Sequence, residues 1–380
     1  MRAQTGLLKG LNPTVTVVSK VLGIGFVLFC AIQAEQAGAF FQTASDFILA
    51  NFKWFYLSAV SSVLALLLYL MVSRFGLIRL GGDDERPEFT FSSWIAMLFS
   101  GGMGIGLIFW SVAEPMWHYA SNPFAEGLSD EAATAAMRIT LFHWGLHPWA
   151  IFTMVGLALA YFAYRKGLPL TMRSILYPLI GERIHGRAGD VIDILAALAT
   201  LFGLATSLGL GVQQVNAGLT HVLGIPQSTT VQVILIALIT GLATVSVVLG
   251  LDRGIRRLSQ LNVILAAVLL IFVFLAGPTR HLLDALVQNF GTYLSYLPRL
   301  SFWTEAYEQS QWQHGWTIFY WAWWIAWSPF VGIFVARVSR GRTVREFVGA
   351  ILIVPTLATF VWLTVFGNAA LYIELFGAGG

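Results

Sequence analysis

The chain is 380 residues long, 57% hydrophobic and only 11% charged, with a mean hydropathy of +0.74. Soluble domains carry about 25% charged residues, so this composition excludes an ordinary soluble domain and leaves a polytopic membrane protein. The net charge of +3 and pI near 9.0 arise from basic residues spread over five separate segments, a topology signal and not a nucleic-acid surface.

Nine stretches are long and apolar enough to span a bilayer: 15–34, 53–73, 94–117, 138–162, 191–221, 229–249, 259–277, 316–337 and 347–372. The single cysteine, Cys30, lies in the first, so no intrachain disulfide forms. The short polar N-terminus has no cleavage pattern of a signal peptide, and the first span is expected to be retained. Eighteen of the 22 lysines and arginines fall on the N-terminal side of these spans, which puts the N-terminus in the cytoplasm. Nine spans then send the C-terminus outward. No linker or soluble domain interrupts residues 1–380. They read as one transmembrane domain: two helices in 1–90, five spans in 91–278, a segment at 279–301, and two further spans in 314–380.

The third span contains Ser100-Gly-Gly-Met-Gly-Ile-Gly106. Each glycine weakens a helix by about 1 kcal/mol relative to alanine. Four in six residues exceed what close packing needs, and predict a helix that unwinds at mid-membrane, where irregular backbone lines a cavity or lies buried in protein. Glu114, next to Pro115 near the outer end of this span, is a functional candidate as an intramembrane acid, with capping of the break as the alternative.

The fourth span holds His143-Trp-Gly-Leu-His-Pro-Trp149-Ala-Ile-Phe152. On a continuous helix Trp144, Phe152 and Trp149 fall at about 0°, 80° and 140°, one broad face. Pro148 removes a backbone hydrogen bond and distorts the helix. His143 and His147 stand at i, i+4, but without a third ligand at suitable spacing they predict no metal site. Asp190 and Asp193 open the fifth span as helix-terminal carboxylates. Between the seventh and eighth spans, 281–301 is too short and polar to cross. With Leu282, Leu283, Leu286 and Phe290 on one partial face, it predicts an interfacial helix on the outer side.

The eighth span reads Phe319-Tyr-Trp-Ala-Trp-Trp-Ile-Ala-Trp-Ser-Pro-Phe330. Membrane tryptophans normally sit at the interfaces, yet Trp321, Trp323, Trp324 and Trp327 fall near the midplane. Trp323, Trp324 and Trp327 share an arc of about 100°. Three indole faces on one side of a buried helix suit a cation without N–H donors, a quaternary ammonium above all; a packed helix seam is the alternative. A channel would need a continuous polar lining, and these rings fill the midplane instead. There is no phosphate-binding Gly-Lys-Ser/Thr loop, metal cluster or nucleophile motif, so neither an enzyme nor an ATP-driven pump is indicated.

The Gly-Met-Gly-Ile-Gly run with Glu114-Pro115, the His-Trp-Gly-Leu-His-Pro-Trp segment, and the eighth-span aromatic run followed by Ala-Arg-Val-Ser-Arg-Gly-Arg resemble the betaine/choline/carnitine transporter family, from about residue 12 to the end. The resemblance implies an all-α polytopic membrane protein with the LeuT-type inverted-repeat fold, twelve spans and a homotrimer in the lipid of a bacterial inner membrane. It also implies osmoprotective uptake of a trimethylammonium solute, glycine betaine first, with choline, carnitine or ectoine behind it. No cofactor is expected beyond Na+ as coupling ion. The family's aromatic box falls on Trp144, Trp149 and Trp324, with Trp323 and Trp327 along the path. Phe152 stands where a member type has tyrosine. Gly102 and Met103 match unwound backbone facing the solute carboxylate, and the ion sites match Ser100, Met103, Thr200 and Phe330. Leu204 occupies a position where threonine can occur, which leaves proton coupling or exchange open. Because only two helices of the second repeat are present, the resemblance also implies a C-terminally truncated chain, about three helices short and not expected to transport alone.

Overall fold

A computed structural model describes residues 9–102, 104–248, 256–308 and 310–377, with the side chains of 99–102, 105, 247 and 256–259 outside that description. Among the described residues every extended element is a helix. In order they are α1 (Pro13–Ile32), α2 (Ala34–Val72), α3 (Phe91–Gly102), α4 (Ile105–Ala120), α5 (Asp130–Trp144), α6 (Leu146–Ala160), the short α7 (Tyr177–Ile180), α8 (Arg187–Leu223), α9 (Thr229–Val248), α10 (Arg256–Ala276), α11 (Thr279–Phe302), α12 (Phe319–Val338) and α13 (Val344–Phe376).

Each of the nine apolar stretches is mostly helical among its described residues, but the boundaries carry new information. The second span is the end of a 39-residue helix, about 58 Å long and so nearly twice the hydrocarbon thickness. Residues 34–52 are too polar to read as a span, yet they contain no proline and continue the helix. The third span is two helices of 12 and 16 residues, α3 and α4, neither long enough alone to cross. Gly104 between them is extended, at φ −114° and ψ 172°. The glycine run therefore does break the helix. Gly102 remains the last residue of α3, and Met103 lies outside the described residues.

The fourth span is interrupted as well. Its α5 stops at Trp144, Gly145 adopts φ −94° and ψ −133°, and α6 starts at Leu146. Pro148, having no N–H, leaves the carbonyl of Trp144 without its i+4 donor, so the distortion expected from the proline falls at Gly145. A Cβ there would lie 2.6 Å from the Leu141 carbonyl and 2.7 Å from the Tyr293 hydroxyl. The single helical wheel drawn through Trp144, Trp149 and Phe152 does not survive this break.

The chain divides into two compact units. The first comprises Met1–Met97, Leu146–Leu204 and Pro298–Val354. Its centre is the crossing of α6 and α12, where Gly156 and Gly332 let two backbones approach. A Cβ on Gly332 would stand 2.6 Å from Val155 Cγ1 and 3.3 Å from the Gly156 nitrogen, the close contact that small residues permit between membrane helices. The second unit comprises Leu98–Gly145, Ala205–Leu297 and Pro355–Gly380. In it α4 packs on α5, and Gly367 of α13 fits against Pro115 and the Ser111 carbonyl.

The segment after the seventh span is a 24-residue helix, α11, which leaves the α10 direction by 110°. Its buried stripe is Leu282, Ala285, Asn289 and Tyr293, whereas Leu283 and Phe290 of the expected apolar face are exposed. The stripe includes a polar member because Asn289 donates to Asn368 Oδ1 at 2.8 Å and Thr364 Oγ1 at 3.2 Å.

Candidate functional site

Two groups of the expected site residues are assembled, one in each unit. In the first unit Trp149 and Phe152 of α6 meet Trp324 of α12: Phe152 is edge-on to Trp149 at 5.5 Å between ring centroids and to Trp324 at 6.1 Å. Trp323 stacks on Trp324 at 4.9 Å with only 9° between planes. The glycine crossing explains the meeting, since Phe152 lies one turn before Gly156 on α6 and Trp324 two turns before Gly332 on α12. All four rings are buried, Trp324 being the most exposed at 9%.

Tyr320 completes this cluster and was not among the expected residues. It is fully buried and lies over Trp323 at 6.1 Å and Trp324 at 5.9 Å, nearly parallel to both. Its position was readable, because residues three and four apart on a helix are neighbours. Trp327 keeps its place on the same arc of α12 but lies one turn beyond the cluster. It packs against α8, where a Cβ on Gly203 would come within 3.0 Å of its Cδ1, and meets Phe330 edge-on at 5.4 Å.

The ion-site residues are only partly assembled. The α8 turn bearing Thr200 and Gly203 adjoins the α12 turn bearing Trp327 and Phe330. The Thr200 hydroxyl donates to the Ala196 carbonyl at 2.9 Å, and the Phe330 side chain is exposed. Ser100 is helical, with its side chain outside the described residues, as is all of Met103. Leu204 is half exposed and offers no oxygen.

The second unit holds Trp144 in a polar setting. Glu114, in the body of α4 and fully buried, does not cap the glycine break. Its Oε2 accepts the Trp144 indole N–H at 2.8 Å, while Oε1 lies 2.6 Å from His143 Nδ1 and 3.5 Å from His118 Nε2. These three side chains have the donor types of a metal site, with ligand atoms all within 4.8 Å. Two ligands on one tetrahedral zinc, each about 2.0–2.1 Å away, would be roughly 3.3 Å apart. At 2.6 Å the Glu114–His143 pair is instead a direct hydrogen bond. The sequence paired His143 with His147, but the break at Gly145 separates them. In the first unit His147 stacks flat on Trp321 at 5.6 Å, and its Nε2 lies 3.0 Å from the Ser301 hydroxyl.

Asp190 and Asp193 also do more than terminate α8. Arg173, almost wholly buried, donates from Nη2 to Asp190 at 2.8 Å and from Nε to Asp193 at 2.7 Å, and Asn12 adds a hydrogen bond to Asp190 at 2.7 Å. Desolvation opposes the charge on Arg173, but its hydrogen bonds to Asp193 and Asp190 outweigh that and raise its pKa. This cluster ties the segment before α1 and the loop after α6 to the start of α8.

The broken third span, the glycine crossing and the buried ring cluster define a polytopic helical membrane protein with an aromatic core at one helix crossing. Comparison with known proteins makes the class specific. The family model described as BCCT, betaine/carnitine/choline family transporter, matches residues 14–380. The chain belongs to that family. It is 47% identical over 363 residues to a glycine betaine transporter of Acinetobacter baylyi, covering 95% of this chain and 55% of that one. It is 45% identical to a glycine betaine/proline/choline transporter of Vibrio parahaemolyticus, covering 93% of this chain and 68% of that one. An osmo-dependent choline transporter of Acinetobacter baylyi is 44% identical, at 96% and 54% coverage. The chain thus spans about half the length of several curated relatives that it matches.

Proposed function

We propose that the protein serves secondary active import of quaternary-ammonium compatible solutes, glycine betaine foremost, by Na+ symport in osmoprotection. The observation that carries this reading is the buried cluster Trp149, Phe152, Trp323 and Trp324 at the glycine crossing. Aromatic faces attract a cation that has shed water, and a trimethylammonium head has no N–H whose hydrogen bonds would be lost there. A zwitterion's carboxylate is suited to backbone amides at a broken helix, and the α3–α4 break is a helix break of that kind. The relatives' names, glycine betaine and choline transporters among them, support the same solute class. On this reading Trp144 and Trp327 also contact the solute or its path. Thr200 and Phe330, with the backbone near Ser100, Gly102 and Met103, serve the coupling ion. The protein works as a homotrimer in a bacterial inner membrane with its N-terminus in the cytoplasm.

A second reading, proton coupling or exchange in place of Na+, is favoured by one observation: Leu204 brings no oxygen to the α8 turn after Thr200. Binding of radiolabelled glycine betaine to the purified protein in lipid nanodiscs separates the two. We expect saturable binding, competed by choline more weakly than by unlabelled betaine, and tightened at least fivefold by Na+ over K+ at fixed pH. No binding of any onium solute rejects the function. Equal affinity in Na+ and K+ rejects sodium coupling.

A further inference from the structure

Trp144 is the last residue of α5 and is followed by non-helical Gly145. A helical side chain lies back over the preceding turn, and the indole N–H of Trp144 reaches a group on a neighbouring element. Glu114 of α4 stands at that position, with its two oxygens doing different work. Oε1 faces two imidazoles, His143 Nδ1 at 2.6 Å and His118 Nε2 at 3.5 Å, and Oε2 accepts the Trp144 N–H at 2.8 Å. Glu114, His118 and His143 are each fully buried. Contacts on both oxygens fix the plane of the carboxylate, and the carboxylate fixes the plane of the indole. A neutral acceptor would serve geometry alone, but an acceptor bearing negative charge makes the shorter and stronger bond. Burying a carboxyl group is costly unless it is hydrogen-bonded; His143 and Trp144 supply those bonds, with His118 Nε2 a further 3.5 Å contact.

We infer that Glu114 is a positioning residue for solute binding: through Oε2 it aims the Trp144 ring, and through Oε1 it is itself held by His118 and His143. This inference rests on the proposed solute site and adds to it a polar support outside the aromatic set. It also accounts for an acid in the middle of a membrane helix without giving it contact with the solute or the coupling ion.

The test is a double-mutant cycle read as the dissociation constant of radiolabelled glycine betaine in nanodiscs. Glu114→Leu is expected to weaken binding about tenfold. Trp144→Phe keeps a ring but loses the N–H, and in that background Glu114→Leu should cost less than a further twofold. Glu114→Gln should stay within threefold of wild type, because its amide oxygen still accepts from the indole while its NH2 donates to His143. Losses that multiply in the double variant, or a Gln variant as weak as Leu, would mean a merely structural role and overturn the inference. Should Glu114→Leu fail to fold, benzothienylalanine at position 144 replaces the N–H by sulfur at nearly constant shape. It should weaken binding about tenfold, and unchanged binding overturns the inference. Trp144→Leu and Trp324→Leu distinguish the levels: wild-type binding in both removes the solute site itself, whereas lost binding with an inert benzothienyl substitution removes only the role of Glu114.

Discussion

Trp149, Phe152, Trp323, Trp324 and Tyr320 lie ring against ring at the crossing of α6 and α12, whereas Trp144 is tied by its N–H to a buried carboxylate beside two histidines. The first arrangement follows from backbone approach. Gly156 and Gly332 bring two helices together, and large aromatic side chains near that contact fill the space on either side. Apolar contact and quadrupole geometry set the ring orientations, and edge-on and offset pairs each contribute about 0.5–1.5 kcal/mol beyond area burial. In the second, a hydrogen bond to Glu114 is added to the packing of a buried ring at the end of α5. Tryptophans in one family pattern are thus oriented by two different forces, and the forces respond differently to mutation.

The largest effect should come from removing the backbone approach. Gly332→Leu would force a branched side chain against Val155 and the Gly156 backbone. We expect a loss of about 3 kcal/mol of stability, seen as a large fall in thermal midpoint in detergent. A midpoint close to wild type would show that the ring cluster does not depend on the crossing. Phe152→Tyr sharpens the comparison by placing a hydroxyl among rings. It should cost about 1–2 kcal/mol where the hydroxyl finds no partner, and less in saturating glycine betaine if the solute meets that hydroxyl. An equal cost with and without solute would separate Phe152 from the site.

His147 combines both modes, stacking on Trp321 and bonding to Ser301. His147→Phe keeps the stack and loses the bond, for an expected cost of about 1 kcal/mol, whereas His147→Leu should cost more. Equal costs would show that stacking there contributes nothing. The smallest effect lies at the exposed end of α12, where Arg337 donates to Glu88 at 2.7 and 3.2 Å. The hydrogen bond from Arg337 holds the Glu88 carboxyl below its ordinary value of 4.5. A depressed folded-state pKa gives stability that is complete above the ordinary value and lost as pH falls through the lowered one. The pair is exposed, so less than about 1 kcal/mol is involved. Unfolding midpoints compared at about pH 6 and about pH 3 should differ slightly less in Arg337→Gln than in wild type; an identical pH response in the two proteins would remove the pair's contribution.

What was legible in the sequence follows the same division. The nine apolar stretches, the break in the third span and the aromatic run of α12 are local patterns, set by hydropathy, glycine content and i, i+3 or i+4 spacing, and the fold reproduces them. Tyr320 belongs to the same pattern, three and four residues before Trp323 and Trp324. The Glu114–His118–His143–Trp144 cluster was not legible: His118 lies one turn from Glu114, but the other two are 29 and 30 residues away across a loop. A wheel drawn through Gly145 sent His143 toward His147 in place of Glu114. The Arg173 cluster was missed for a related reason, since Asp190 and Asp193 near a helix start satisfy a local explanation and their partner is 17 and 20 residues upstream. Local periodicity does not reveal contacts that depend on where a helix stops.

The central claim is that the ring cluster binds an onium solute, and Trp324 is its most direct probe because it is edge-on to Phe152 and stacked on Trp323. Equilibrium binding of radiolabelled glycine betaine in nanodiscs should be lost by at least tenfold in Trp324→Leu, while Trp324→Phe keeps an aromatic face and retains intermediate affinity. Wild-type affinity in a folded Trp324→Leu protein would contradict the account.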